Sequence, residues 1–141
     1  MINDIVSGIS RKLNDTFGDD IEIYKEQVKQ GLKEPCFIIS CINLVSIPIV
    51  GERYLRQALF SVNYFPKSGT DAKVECLDVQ DTLCIALEYI DAGDGLLRGT
   101  GMSGQIVDGV LVFTVNYDMY VRKDIEREPM ETIKITHKME G

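Results

Sequence analysis

Three sets of residues have types and spacings that could do chemistry. The first is Gly99, Gly101 and Gly104 in RGTGMSGQIVDG, residues 98–109, a G-x-G-x-x-G run. Glycines so spaced let a backbone close around a pyrophosphate, provided a strand leads in and a helix follows to offer its N-terminal amides. Here QIVDGVLVFTVNYDMYV follows, with Leu111, Phe113, Val115, Tyr117, Met119 and Val121 apolar at every second position. That is the period of a strand, so the dinucleotide reading fails. A kinase sets its glycine-rich loop between strands, but it also needs a strand lysine, an aspartate-bearing catalytic loop and a far longer chain.

The second set is Cys36 with His137, the one histidine. A thiol nucleophile needs an activating base, and His137 stands on an alternating segment beyond a charged break, so Cys36 reads as a buried strand residue. Cys41, Cys76 and Cys84 form no C-x-x-C with it, and zinc sites are usually built from such close pairs. The third set is Asp19, Asp20 and Glu22, which could hold a divalent ion as in a metal-dependent nuclease. Adjacent aspartates more often solvate a helix-to-strand loop. No catalytic, cofactor-binding or metal-ligating residue is assigned, and no cofactor is expected.

The glycines suit a β-ribbon instead. Asp108-Gly109 between apolar residues signals a type I′ hairpin, whose two central residues need positive φ. The turn pairs Val107 with Val110, Ile106 with Leu111, Gly104 with Phe113 and Met102 with Val115. Gly104 then leaves room for the Phe113 ring. Gly99 and Gly101 suit a bend, a bulge or a close backbone approach.

Around this ribbon, Ile2, Ile5, Val6, Ile9 and Leu13 form one helical stripe, ended by Gly18. IEIY follows as a short strand. CFIISCINLV is apolar on both faces, Phe37, Ile39 and Cys41 against Ile38, Ile42 and Leu44, which predicts a strand covered on both sides. RQALFSVNYF turns Ala58, Phe60, Val62 and Tyr64 inward. Ser68, Thr70 or Asp71 caps a second helix that runs to about Ile90 with the stripe Ala72, Cys76, Val79, Leu83, Ala86, Leu87 and Ile90. Two strands, a charged break (RKDIEREPME) and TIKITHKM complete the chain. The fold class is α+β, a mostly antiparallel sheet of about five strands with two helices on one face. The order is α-β-β-β-α-β-β, with room for an extra C-terminal strand. Residues 1–121 read as a single domain and 122–141 as a charged segment with an edge strand or arm.

The chain has 141 residues, 45% hydrophobic and 26% charged, with net charge −7. That suits one soluble domain and speaks against a sequence-specific nucleic-acid binder, which shows phosphates a basic face. No apolar run approaches the ~20 residues of a membrane span. The N-terminus mixes charge among its apolar positions, unlike a signal peptide. A cytoplasmic location is expected, and no membrane partner.

Two stretches, YKEQVKQGLKEPCFII (24–39) and LLRGTGMSGQIVDGVLVFTVNYDMYV (96–121), resemble the tail terminator proteins of phages and phage-like tail particles of Gram-positive bacteria. INDIVSGISRKL and the YFP at 64–66 fit the same pattern. The resemblance covers most of residues 1–121. It implies a structural protein without an active site that forms a ring, usually a hexamer, on the finished tail tube. The ring stops growth and offers a surface to the neck. It implies a homo-oligomer with the tail tube protein, sheath and neck proteins as partners, made in the host cytoplasm and carried in the virion or tail particle. Such a ring needs a heterologous interface that closes, and sheet edges and loops are its natural contacts. Those are the Ser46–Tyr54 loop, the Arg122–Glu131 segment and the last strand, with Arg53, Tyr54, Arg122, Glu126, Arg127, Glu128, Ile133 and Ile135 as interface residues. A neck or head–tail joining protein, the metal-dependent nuclease and a small-molecule binder in the helix–sheet cleft are the rival readings.

Overall fold

The computed structural model describes residues 2–25, 31–67, 71–127 and 133–140, with 123–127 and 133–140 as backbone. The elements in chain order are α1 (Ile2–Phe17), β1 (Glu22–Tyr24), β2 (Cys36–Pro48), β3 (Arg53–Phe65) and α2 (Ala72–Ala86). β4 (Tyr89–Asp91), β5 (Leu96–Val107), β6 (Val110–Arg127) and β7 (Ile133–Glu140) follow. One sheet of seven strands runs β1-β2-β3-β6-β5-β4, with β7 also paired to β6. Every pairing is antiparallel except β1 with β2. The protein is α+β, in the expected order, with a mixed sheet and the C-terminal strand present.

Alternation decides which face of the sheet is buried. Ala58, Phe60, Val62 and Tyr64 of β3 stand in register with Tyr117, Val115, Phe113 and Leu111 of β6, and all eight are buried. Onto this face α1 lays Ile5, Ile9 and Leu13, and α2 lays Cys76, Val79 and Leu83. Aromatic rings tie the layers: Phe37 sits 5.0 Å from Phe17 and 4.9 Å from Tyr64, and Phe60 meets Tyr117 edge-on at 6.1 Å. Tilted and edge-on rings at these spacings add to area burial. Gly18, at φ +87°, closes α1 by donating its N–H to Asn14 O.

Several expectations change. α2 ends at Ala86 with Leu87 as its C-cap, and Ile90 lies in β4, a strand too short for a period to show. Asp71 takes the N-cap position without a side-chain bond; Ser68 and Thr70 lie outside the described residues. β6 does not stop where charge begins but runs through Arg122 to Arg127. The largest change concerns β2. Cys36–Ile39 are buried, yet every residue from Cys41 to Pro48 is exposed. β1 pairs with β2 only over Cys36–Ile38. Beyond that, β2 and β3 run out past the helices as an uncovered arm.

Candidate assembly interface

The glycine ribbon folds for backbone reasons. Asp108 (φ 52°) and Gly109 (φ 76°) are both left-handed, as the turn type demands, and Val107, Ile106 and Gly104 meet Val110, Leu111 and Phe113 as expected. The register slips between Thr100 and Ser103. Gly101 and Met102 therefore share the place opposite Val115, which corrects the simple Met102–Val115 pair. Gly101 takes φ +57° in this bulge. Gly99 donates its N–H to Glu88 O, and a Cβ there would lie 2.4 Å from Leu87 O. This is the close backbone approach, and the amide is already used. Gly104 makes room for a different group than expected: its nearest neighbours are the amide atoms of Gln80, from α2 above.

The other chemical sets come apart. Cys36 is buried, and burial pushes its thiol up, helped by Glu34 and Glu22, the opposite of an activated nucleophile. It pairs with Phe65 at one end of β3. His137 pairs with Lys123, past the other end of that strand. Among the described residues no three His, Cys, Asp or Glu side chains could hold one metal ion, so Asp19, Asp20 and Glu22 form no such cluster. No helix among the described residues is long and apolar enough to cross a membrane.

What the sheet does present is its far end. Arg53 and Tyr54 open β3 and stand in register with Arg122 and Val121. Glu126 and Arg127 are at the tip of β6, opposite Lys134 and Ile133, while Ile135 pairs with Ile125. The fold thus brings seven of the eight expected interface residues to one end of one sheet; Glu128 lies outside the described residues. Beside them is a surface whose first part, Ile42 to Val45, the strand pattern assigned to the interior, and whose second part lies in the Ser46–Tyr54 stretch expected to make contacts. Ile42, Leu44, Val45, Ile47 and Ile49 are 37–54% exposed and Val50 is 91% exposed. Across the sheet Ile47 continues to Leu55 and Tyr120, and Tyr120 is itself 52% exposed. Fifteen consecutive residues, Cys36 to Val50, carry no charge. That absence of charge was the available signal.

These features define a small α+β protein that offers a projecting sheet to its surroundings. A family model described as phage tail terminator protein matches residues 4–129, and the chain belongs to that family. No curated protein matches the chain. The family is a structural one of phage tails, so the protein takes part in tail assembly, meets other tail proteins and has its place in the virion or tail particle.

Proposed function

We propose that the protein caps the tail tube as a closed ring, six copies being the number the resemblance implies, which stops tube polymerisation and gives the neck its docking surface. The observation that carries this reading is the arm of β2 and β3, an exposed apolar stretch that runs on beyond the helix layer. Large exposed apolar surface on a small protein marks an interaction site. Arg53, Tyr54, Arg122, Glu126, Arg127, Glu128, Ile133 and Ile135 flank it as contact residues, with 122–141 acting as an arm of the 1–121 domain. No substrate is transformed.

Tail tubes assembled without this protein and then mixed with it test the reading. Electron microscopy should show one ring at one end of each tube and no further growth when tube protein is added. Tubes that keep growing, or protein bound along their sides, would overturn it. Replacing Val45 and Ile47 by lysine should abolish capping and leave the fold intact.

A further inference from the structure

Two strands of this sheet are open on one side. Among the described residues β2 pairs with no strand but β3 beyond Ile38, and β7 pairs with β6 alone. At the far end the strand order is therefore β2-β3-β6-β7, with an open edge on each flank. We infer that β2 of one copy pairs edge to edge with β7 of the next, so that the interface between copies is a continuous β-ladder. The inference rests on the ring reading and names its contact.

Strand direction permits it. β2, β3, β6 and β7 alternate in direction. Copies that keep the same face to the same side therefore meet with β7 antiparallel to β2. The two edges differ, so pairing is head to tail and continues from copy to copy, as a ring requires.

The hydrogen-bonding groups of β2 are poised for it. Ile49 N–H donates to Arg53 O, and inward and outward residues alternate along an antiparallel strand. Val45 and Ile47 thus turn their backbone groups to β3, while Leu44, Ser46 and Pro48 turn theirs to the open side. Pro48, which has no N–H, costs the β2–β3 ladder nothing there. Soluble proteins blunt such edges with lysine, inward charge or proline; β2 carries no charge from Cys36 to Val50 and has its one proline, Pro48, at the very end of the strand, while Lys134 and Lys138 stand on β7.

Self-pairing suits each edge less well. Two β7 strands paired about Thr136 set Lys134 opposite Lys138, a like-charge contact. Two paired β2 strands bring two prolines into one ladder. One register, with Val45 opposite Thr136, also lets the sheet close. Val45 shares a row with Gln57 and Asp118, and Thr136 shares one with Asp124, six residues further along β6. Matching the two shifts each copy by about 20 Å along strands that span about 19 Å across. The strands would then tilt about 45° to the ring axis, near the tilt at which sheets close.

Cross-linking decides it. In a background of Cys41→Ser and Cys84→Ser, one chain carries Val45→Cys and another Thr136→Cys. Both are assembled on tail tubes and treated with a short bismaleimide. A cross-linked dimer should form in the mixture and in neither chain alone. A dimer from Val45→Cys alone would overturn the inference in favour of β2 self-pairing. Rings that form without any 45–136 product would overturn it and leave capping intact, whereas absence of rings removes both. Ser46→Pro gives a second readout. It removes one outward N–H and should abolish ring formation while the melting temperature moves by no more than about 3 °C. Rings that persist in folded Ser46→Pro protein would count against the ladder.

Discussion

Replacing Tyr117 by phenylalanine should destabilise the protein by about 1–3 kcal/mol. Tyr117 is fully buried in the middle of β6, and its hydroxyl donates to Leu87 O at 2.7 Å. Leu87 is the C-cap of α2, so its carbonyl belongs to the group that a helix end leaves without an intrahelical partner. The substitution removes one oxygen and keeps the ring, including its edge contact with Phe60, so no cavity term enters. The loss is one hydrogen bond plus a carbonyl left dry. For 141 residues this lowers the melting temperature by about 3–10 °C. Urea unfolding followed by circular dichroism measures it, with Tyr120→Phe, an exposed tyrosine, as the neutral control. A Tyr117→Phe protein within about 0.3 kcal/mol of the parent would refute the reasoning, since it would mean that the carbonyl is not dry. The same tyrosine gives a pH test. Burial raises the Tyr117 phenol well above its ordinary value of 10.0. The folded chain then keeps a proton that the unfolded chain releases above about pH 10. Its contribution is whole below that pH and is lost as pH climbs through the raised value. Tyr117→Phe should blunt this alkaline loss, leaving the share due to Tyr64, raised by burial and by Glu75.

Four further substitutions probe the ribbon and the core. Gly99→Ala should cost at least about 2 kcal/mol because its Cβ meets the Leu87 carbonyl, whereas Gly104→Ala should cost less, since only the flexible end of Gln80 stands in the way; chemical denaturation of the pair checks the order. Gly109→Ala should lose about 1–2 kcal/mol from its left-handed backbone alone, as open space surrounds it. Phe60→Ala, at the centre of the helix-covered face, should cost about 3–5 kcal/mol and broaden the side-chain resonances of Tyr117.

The parts of the fold legible in the sequence were those where one local rule met no rival. The stripe of α1, the alternation of β3 and β6, and the Asp108-Gly109 turn each follow from a single period or a single φ requirement. β2 was legible as a strand but not as an arm. Ile42 and Leu44 record a demand for apolar surroundings without saying whether the chain's own helices or another molecule meets it. A bulge was among the roles expected of Gly101, but the register slip that moves Met102 escaped, because a glycine tells of backbone freedom and not of register. Gly104 was matched to its cross-strand neighbour Phe113, while the group above it, Gln80, comes from another layer that strand pairing does not see. At the far end of the sheet, the uncharged stretch up to Val45 was read as covered on both faces, and only the part from Ser46 onward as a contact surface.

β6 has a mechanical consequence. It shares twelve register pairs with β3, from Arg53–Arg122 to Tyr64–Leu111, and it continues unbroken from the helix-covered body into the tip. A pull on the tip along the strand axis loads those bonds together, in shear, instead of opening them singly from one end. Load applied at the tip thus reaches the helix-covered body through this one strand, which acts as its tendon.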